Sequence, residues 1–165
     1  MRVLGIDPGT ATTGYGIIDT QSENSFEVIG FGLIETDKNS LTGARLNVIH
    51  TELRKIIISY KPDIMAIEKI FFATNAKTAI AVGQALGVMI YCASKLKLDI
   101  AEYAPGTIKK IVSGSGRSNK KEMQKSLREI FGPKIRSRKH KKTHFDNSAD
   151  ALAVALCHLW KSSKI

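Results

Sequence analysis

Val3-Leu4-Gly5-Ile6-Asp7-Pro8-Gly9 begins with four uncharged residues and stops abruptly on an acid, a proline and a glycine. It reads as a buried strand entering a tight turn, because the proline ring fixes its own φ and keeps the preceding residue extended. Tyr15-Gly16-Ile17-Ile18-Asp19 and the stretch 26–36, rich in β-branched and aromatic residues, follow at short intervals and predict an antiparallel meander of three strands. Beyond them the apolar spacing becomes helical: Leu46, Ile49, Leu53, Ile56 and Ile57 predict an amphipathic helix over 41–60, closed by Pro62. A fourth strand over 63–68 ends on Glu68, and a long helix over 76–96 precedes a fifth strand over 99–103. Helices are then predicted over 105–112 and 120–131, and a last one opens at Asn147 and ends near Trp160. Strands alternating with helices make an α/β domain with mixed pairing, and 165 residues accommodate one such domain, 1–165.

Composition narrows the class of protein. With 43% hydrophobic and 24% charged residues the chain is a packed globular one, which excludes disordered, collagenous and coiled-coil classes. No apolar run approaches the ~20 residues of a membrane span, and the amino end lacks signal-peptide character, so a cytoplasmic protein without a membrane is expected. Cys92 and Cys157, each within an apolar helical pattern, are too few for a disulfide framework or a zinc site. The 25 Lys+Arg against 15 Asp+Glu leave a net charge of +10. Residues 117–142 carry eleven of the bases and only Glu122 and Glu129, so this one segment accounts for nearly the whole excess. It overlaps the turn-forming Ser113-Gly114-Ser115-Gly116-Arg117-Ser118-Asn119, whose backbone NH groups suit phosphate. A basic segment so placed favours a nucleic acid partner over a solvated face.

Three acids stand where an apolar element ends or begins: Asp7, Glu68 and Asp150. Each has an ordinary explanation, Asp7 as a turn former, Glu68 as a partner of Lys69 or another base, and Asp150 as half of a capping pair with Asn147. Together, beside a basic surface, they point to oxygen ligation of Mg²⁺ or Mn²⁺, because clustered carboxylates remain ionised only with cations among them. Two such ions orient a phosphodiester, activate water and stabilise the departing oxygen, which makes phosphodiester hydrolysis the natural reaction class. A stripe of Ala79, Gly83 and Gly87 on the long helix allows close approach of either the sheet or a second subunit.

Gly5-Ile6-Asp7-Pro8-Gly9, Thr13-Gly14-Tyr15-Gly16, Ala66-Ile67-Glu68, Gly83-Gln84-Ala85-Leu86-Gly87 and Ala149 through His158 together resemble the RuvC Holliday-junction resolvases, in order and over nearly the whole chain. The resemblance implies an RNase H-like fold, a mixed five-stranded sheet flanked by helices. It further implies a homodimer that nicks opposed strands of a four-way DNA junction with two Mg²⁺ per active site, Mn²⁺ substituting, and a branch-migration helicase as a further partner. Asp7, Glu68 and Asp150 take the positions of metal ligands. The family's fourth metal position falls on Asn147, where an acid or a histidine is usual. Asp146, four residues before Asp150, supplies the missing carboxylate in the favoured reading. Alternatively, Asn147 coordinates through its carbonyl oxygen or caps the helix. Lys120, as a catalytic residue, and Lys109 match bases near the scissile phosphate, and Phe71, with Phe72 beside it, matches an aromatic that contacts bases near the branch point. Arg117 and Lys121 are expected at more distant phosphates.

Other readings are an RNase H-like nuclease acting on RNA and a non-catalytic junction-binding module. Asp7-Pro8-Gly9-Thr10 also resembles the phosphate loop of actin-like kinases, but those proteins enclose a nucleotide between two such domains.

Overall fold

Val3 and Leu4 are neighbours in the chain and belong to different cores. Side chains of a strand alternate between its faces, so a sheet buried on both sides reads as a continuous apolar run. The computed structural model describes residues 1–22, 25–70, 76–132 and 142–162, leaving aside the side chains of 21, 76–77 and 142–147. In chain order the elements are β1 (Arg2–Asp7), β2 (Thr12–Ser22), β3 (Ser25–Glu35), α1 (Thr42–Tyr60), β4 (Ile64–Glu68), α2 (Ala76–Lys95), β5 (Asp99–Tyr103), α3 (Pro105–Ser113), α4 (Lys120–Phe131) and α5 (Lys142–Ser162).

The five strands form one sheet in the order β3-β2-β1-β4-β5. β1 pairs antiparallel with β2 and parallel with β4, so the meander and the crossover strands meet on β1. Val3, Ile18 and Ala66 pack with residues of α3, α4 and α5 on one face; Leu4, Ile6, Ile17, Met65 and Ile67 pack with α1 and α2 on the other. The mixed five-stranded sheet flanked by helices matches the expected RNase H-like architecture.

α5 is the central helix. From Ser148 to Leu159 every residue except Asp150 is buried, as for a helix apolar on all sides. It lies directly on β1 and β2 at glycines. A Cβ on Gly5 would come within 2.7 Å of the Ala155 nitrogen, and one on Gly16 within 2.7 Å of the Leu152 side chain. A side chain at either position would lift the helix from the sheet.

Two expectations are corrected. α5 begins at Lys142, not at Asn147, so Asn147 is not a helix cap and Asp150 lies two turns from the helix start. The intervening residues contain no Gly or Pro, and once a helix is anchored, each added residue propagates it at little cost. The stripe of Gly83 and Gly87 does not pack on the sheet: both are exposed, with nothing within 4 Å of an added Cβ. The sheet side of α2 is Ala85, Met89, Cys92 and Ala93. By length and composition Thr78–Lys95 reaches the threshold of a membrane-spanning helix, with mean hydropathy 1.2, yet that buried side is the pattern of a core helix whose outer face is uncovered. Both cysteines are buried free thiols. Phe71, Phe72 and the basic stretch 133–141 lie outside the described residues.

Overpacking of this kind costs about 1–3 kcal/mol, so Gly5→Ala is expected to lower Tm by about 2–12 °C, and a thermal melt matching the parent within about 1 °C would contradict the contact.

Candidate active site

The β1–β4 ladder runs from Val3 with Ile64 to Ile6 with Ile67, so Asp7 and Glu68 come next on adjacent strands. By alternation they share the face of Gly5 and Ala66, which α5 covers. Asp150 directly precedes Ala151, whose carbonyl oxygen lies against Gly5. The close approach at glycine thus brings the third acid to the other two. Asp7 and Glu68 border a cleft of about 240 Å³ that is also lined by Pro8, Lys69, Ile70, Val82 and Pro105.

Burial and mutual repulsion dominate the electrostatics. The Asp7 carboxyl is pushed up to about 7, first by burial, then by Asp150 and Glu68, with Lys120 acting in the opposite sense. Glu68 is raised by burial and then by Asp150, with Lys109 opposing. Lys69 does not neutralise Glu68; it pairs at 3.8 Å with Glu102.

The turn after Asp7 is held from three sides. Thr13 Oγ1 donates to the Gly9 carbonyl at 2.7 Å, and Thr36 Oγ1 donates to the Thr10 carbonyl at 2.6 Å. The Thr36 amide donates to Ala11 at 3.0 Å, while Arg45 Nε donates to the Thr36 hydroxyl at 3.0 Å. Sequence reading missed this brace because its partners lie up to 26 residues apart. Only the Pro-Gly pair marked the turn locally.

Lys120 is placed by a capping box. Asn119 accepts from the amides of Lys121 and Glu122 at 2.9 and 3.1 Å, and Glu122 accepts from the Asn119 amide at 2.8 Å. With α4 starting there, Lys120 Nζ reaches Asp150 Oδ2 at 3.4 Å. Arg117 and Lys121 are exposed at the same end of α4, outside the carboxylate cleft. A second, polar cleft of about 510 Å³ runs beside them, lined by Ser113, Ser115, Arg117, Ser118 and Lys125 together with Glu122, Ser126 and Glu129. Asp7, Glu68, Asp150 and Lys120 are thus brought together at one end of the sheet, with Lys109 close enough to act on the charge of Glu68. Asp146 and Asn147 lie in the backbone of α5, at positions four and three before Asp150, and their side chains are outside the described residues.

An all-carboxylate donor set whose members raise one another's pKa suits a hard divalent cation, which would remove the repulsion. Among the described residues no three His, Cys, Asp or Glu side chains converge closely enough to enclose one ion. The three acids form an open cluster at one edge of the sheet, where α/β folds build their sites.

The family described as crossover junction endodeoxyribonuclease RuvC matches residues 3–158. The protein of that description from Caldicellulosiruptor saccharolyticus is 44% identical over 100% of this chain and 96% of its own length. That from Alkaliphilus oremlandii is 44% identical over 96% and 92%. The structure of Thermus thermophilus RuvC in complex with a Holliday junction substrate superposes with a TM-score of 0.87 at 26% identity, covering 99% of this chain and 96% of that one. The yeast mitochondrial Holliday junction resolvase Ydc2 shares the fold, with a TM-score of 0.74 at 14% identity over 98% and 79%. Asp7, Glu68 and Asp150 all fall inside a match that runs from the first strand to the last helix, and the chain therefore belongs to the RuvC family of crossover junction endodeoxyribonucleases.

Proposed function

We propose that this chain is an endodeoxyribonuclease that resolves four-way DNA junctions by paired nicks, working in the cytoplasm as a homodimer with two Mg²⁺ per active site. The observation that carries the reading is the group of Asp7, Glu68 and Asp150 beside Lys109 and Lys120, at the edge of a fold of this family. Asp7, Glu68 and Asp150 hold the ions, with Asp146 as the fourth carboxylate, since position i−4 shares the face of Asp150 on a continuous helix. Bound there, the ions supply charge neutralisation and an activated water. Lys120 presents a point charge to the scissile phosphate, and Lys109 counters charge beside Glu68. Arg117 and Lys121 hold phosphates further along the arm, and Phe71 and Phe72 stack on bases near the branch point.

A second copy covers the outer face of α2. Ile80 and Tyr91 are 64% and 57% exposed there, on either side of Gly83 and Gly87. An apolar helix face with a small-residue centre suits a symmetric helix-on-helix contact. The branch-migration helicase is a further partner implied by the family.

The test is a labelled four-way junction, a linear duplex and an RNA·DNA hybrid, each with Mg²⁺ or EDTA. Symmetric nicks are expected on the junction alone and only with Mg²⁺. Because outer-shell changes at metal sites already cost about 10–100-fold, Asp7→Asn is expected to lose more than about 100-fold in rate while still binding the junction, and Asp146→Asn to lose far more than Asn147→Ala. Cleavage of the hybrid would favour the RNA nuclease, and tight junction binding without cleavage would leave only a binding module.

The raised Asp7 pKa has a consequence for stability. Its folded value of about 7 lies above the ordinary value of 3.8, so the folded state binds the extra proton between them. Stability of the metal-free protein therefore falls as pH rises from about 4 through 7. In EDTA at pH about 8, Asp7→Asn should be more stable by roughly 2–4 kcal/mol, with the difference vanishing near pH 4; equal melting curves at both pH values would contradict the burial.

A Cβ at Gly83 meets no neighbour within 4 Å in one copy, so Gly83→Leu should still fold. In sedimentation it should convert dimer to monomer, and nicking should lose its pairing. A variant that remained dimeric would place the interface elsewhere.

A further inference from the structure

His158 closes the last family motif and has no part in the site described above. It is 8% exposed on an otherwise apolar helix, and both of its ring nitrogens are engaged. Nδ1 lies 2.8 Å from the Tyr103 hydroxyl, and Nε2 lies 3.2 Å from Ser162 Oγ. Ser162 Oγ also donates its proton to the His158 carbonyl at 2.9 Å. A hydroxyl has one hydrogen, so Nε2 must carry the ring proton and donate to Ser162. Nδ1 is then the acceptor and Tyr103 the donor. Burial keeps the phenol protonated and the imidazole neutral, in agreement with that assignment. The two rings meet edge to face at 5.9 Å.

Tyr103 is the last residue of β5 and pairs with Glu68, the last of β4. Side chains of a parallel pair rise from the same face, here the one that α5 covers. The Tyr103 carbonyl also accepts the amide of Lys69 at 2.8 Å, directly after Glu68. Among the described residues β5 is an edge strand paired with β4, and the Tyr103–His158 hydrogen bond ties its end to the helix that carries Asp150. Ser148, at the other end of the buried stretch, donates to the Gly32 carbonyl at 3.2 Å. α5 is thus fastened at both ends, with the glycine contacts between.

We propose that Tyr103 and His158 are positioning residues that set the separation of Glu68 and Asp150 by clamping the end of the β4–β5 pair to α5. The proposal rests on the reading of Glu68 and Asp150 as ligands of a divalent cation. Neither clamp residue needs to touch DNA.

Mn²⁺ binding to the DNA-free dimer, followed by electron paramagnetic resonance, tests it without cleavage. Partners that orient metal ligands are worth about 10–100-fold in affinity, so Tyr103→Phe and His158→Phe should each weaken Mn²⁺ binding by about tenfold or more. His158→Asn keeps an acceptor near the position of Nδ1 and should restore binding to within about threefold of the parent. Junction affinity in EDTA should stay unchanged in all three. Tyr103→Phe removes a single oxygen, so it reports even if His158→Phe fails to fold. Mn²⁺ binding equal to the parent's in Tyr103→Phe, whatever happens to Tm, would overturn the clamp while leaving the ligand reading intact. A fall in junction affinity matching the loss of Mn²⁺ would place Tyr103 in the DNA site instead and overturn it as well. A parent protein that binds no Mn²⁺ would remove the ligand reading itself, and the clamp with it.

Discussion

The contact between the backbone of α5 and Gly5 of the central strand is the constraint on which the rest depends. At Gly5 and Gly16 the helix occupies space that any side chain would fill. That approach brings a buried, nearly all-apolar helix onto the middle of a mixed sheet and removes much apolar surface from water. It also determines where Asp150 sits. One residue before the Ala151 carbonyl that rests on Gly5, the acid can only be near the end of β1, where Asp7 stands. Packing and chemistry share the same few atoms.

What results is electrostatically unfavourable in the free protein. Asp7 and Glu68 face a partly buried cleft with Asp150 close by, and Asp7 is pushed up to about 7. Lys109 and Lys120 relieve part of the repulsion from two different helices. Lys120 owes its place to the capping box of α4, so an ordinary helix-start motif becomes part of the site. The group is held in its repulsive arrangement by the braced turn after Asp7 on one side and by the fastened ends of α5 on the other. Strained, charged sites of this kind exchange stability for function.

Net positive charge and the acidic cluster divide the work. The bases beyond the site, Arg117 and Lys121 among them, lie exposed at the start of α4, where a polyanion can reach them. The clustered acids repel the same polyanion. On the opposite face, α2 leaves an apolar stripe uncovered.

The sequence by itself was enough for the order of elements and the α/β class, and it singled out three acids that the fold brings together, because those are written in local periodicity and in charges placed at the ends of apolar runs. The stripe on α2 was visible too, but not which way it faced. Periodicity defines a helix face without naming its neighbour, and only the packed structure turns Ala85 and Met89 inward and Gly83 and Gly87 out. The start of α5 is not legible locally, because Asn147 has the composition of a cap and an anchored helix runs through such a residue without needing one. Tyr103 and His158 are 55 residues apart, and the brace on the Asp7 turn joins residues 26 apart. Hydrogen bonds of that range have no local signature. They exist because the sheet order sets β5 beside β4 and lays α5 across β1, and that choice belongs to the tertiary structure alone.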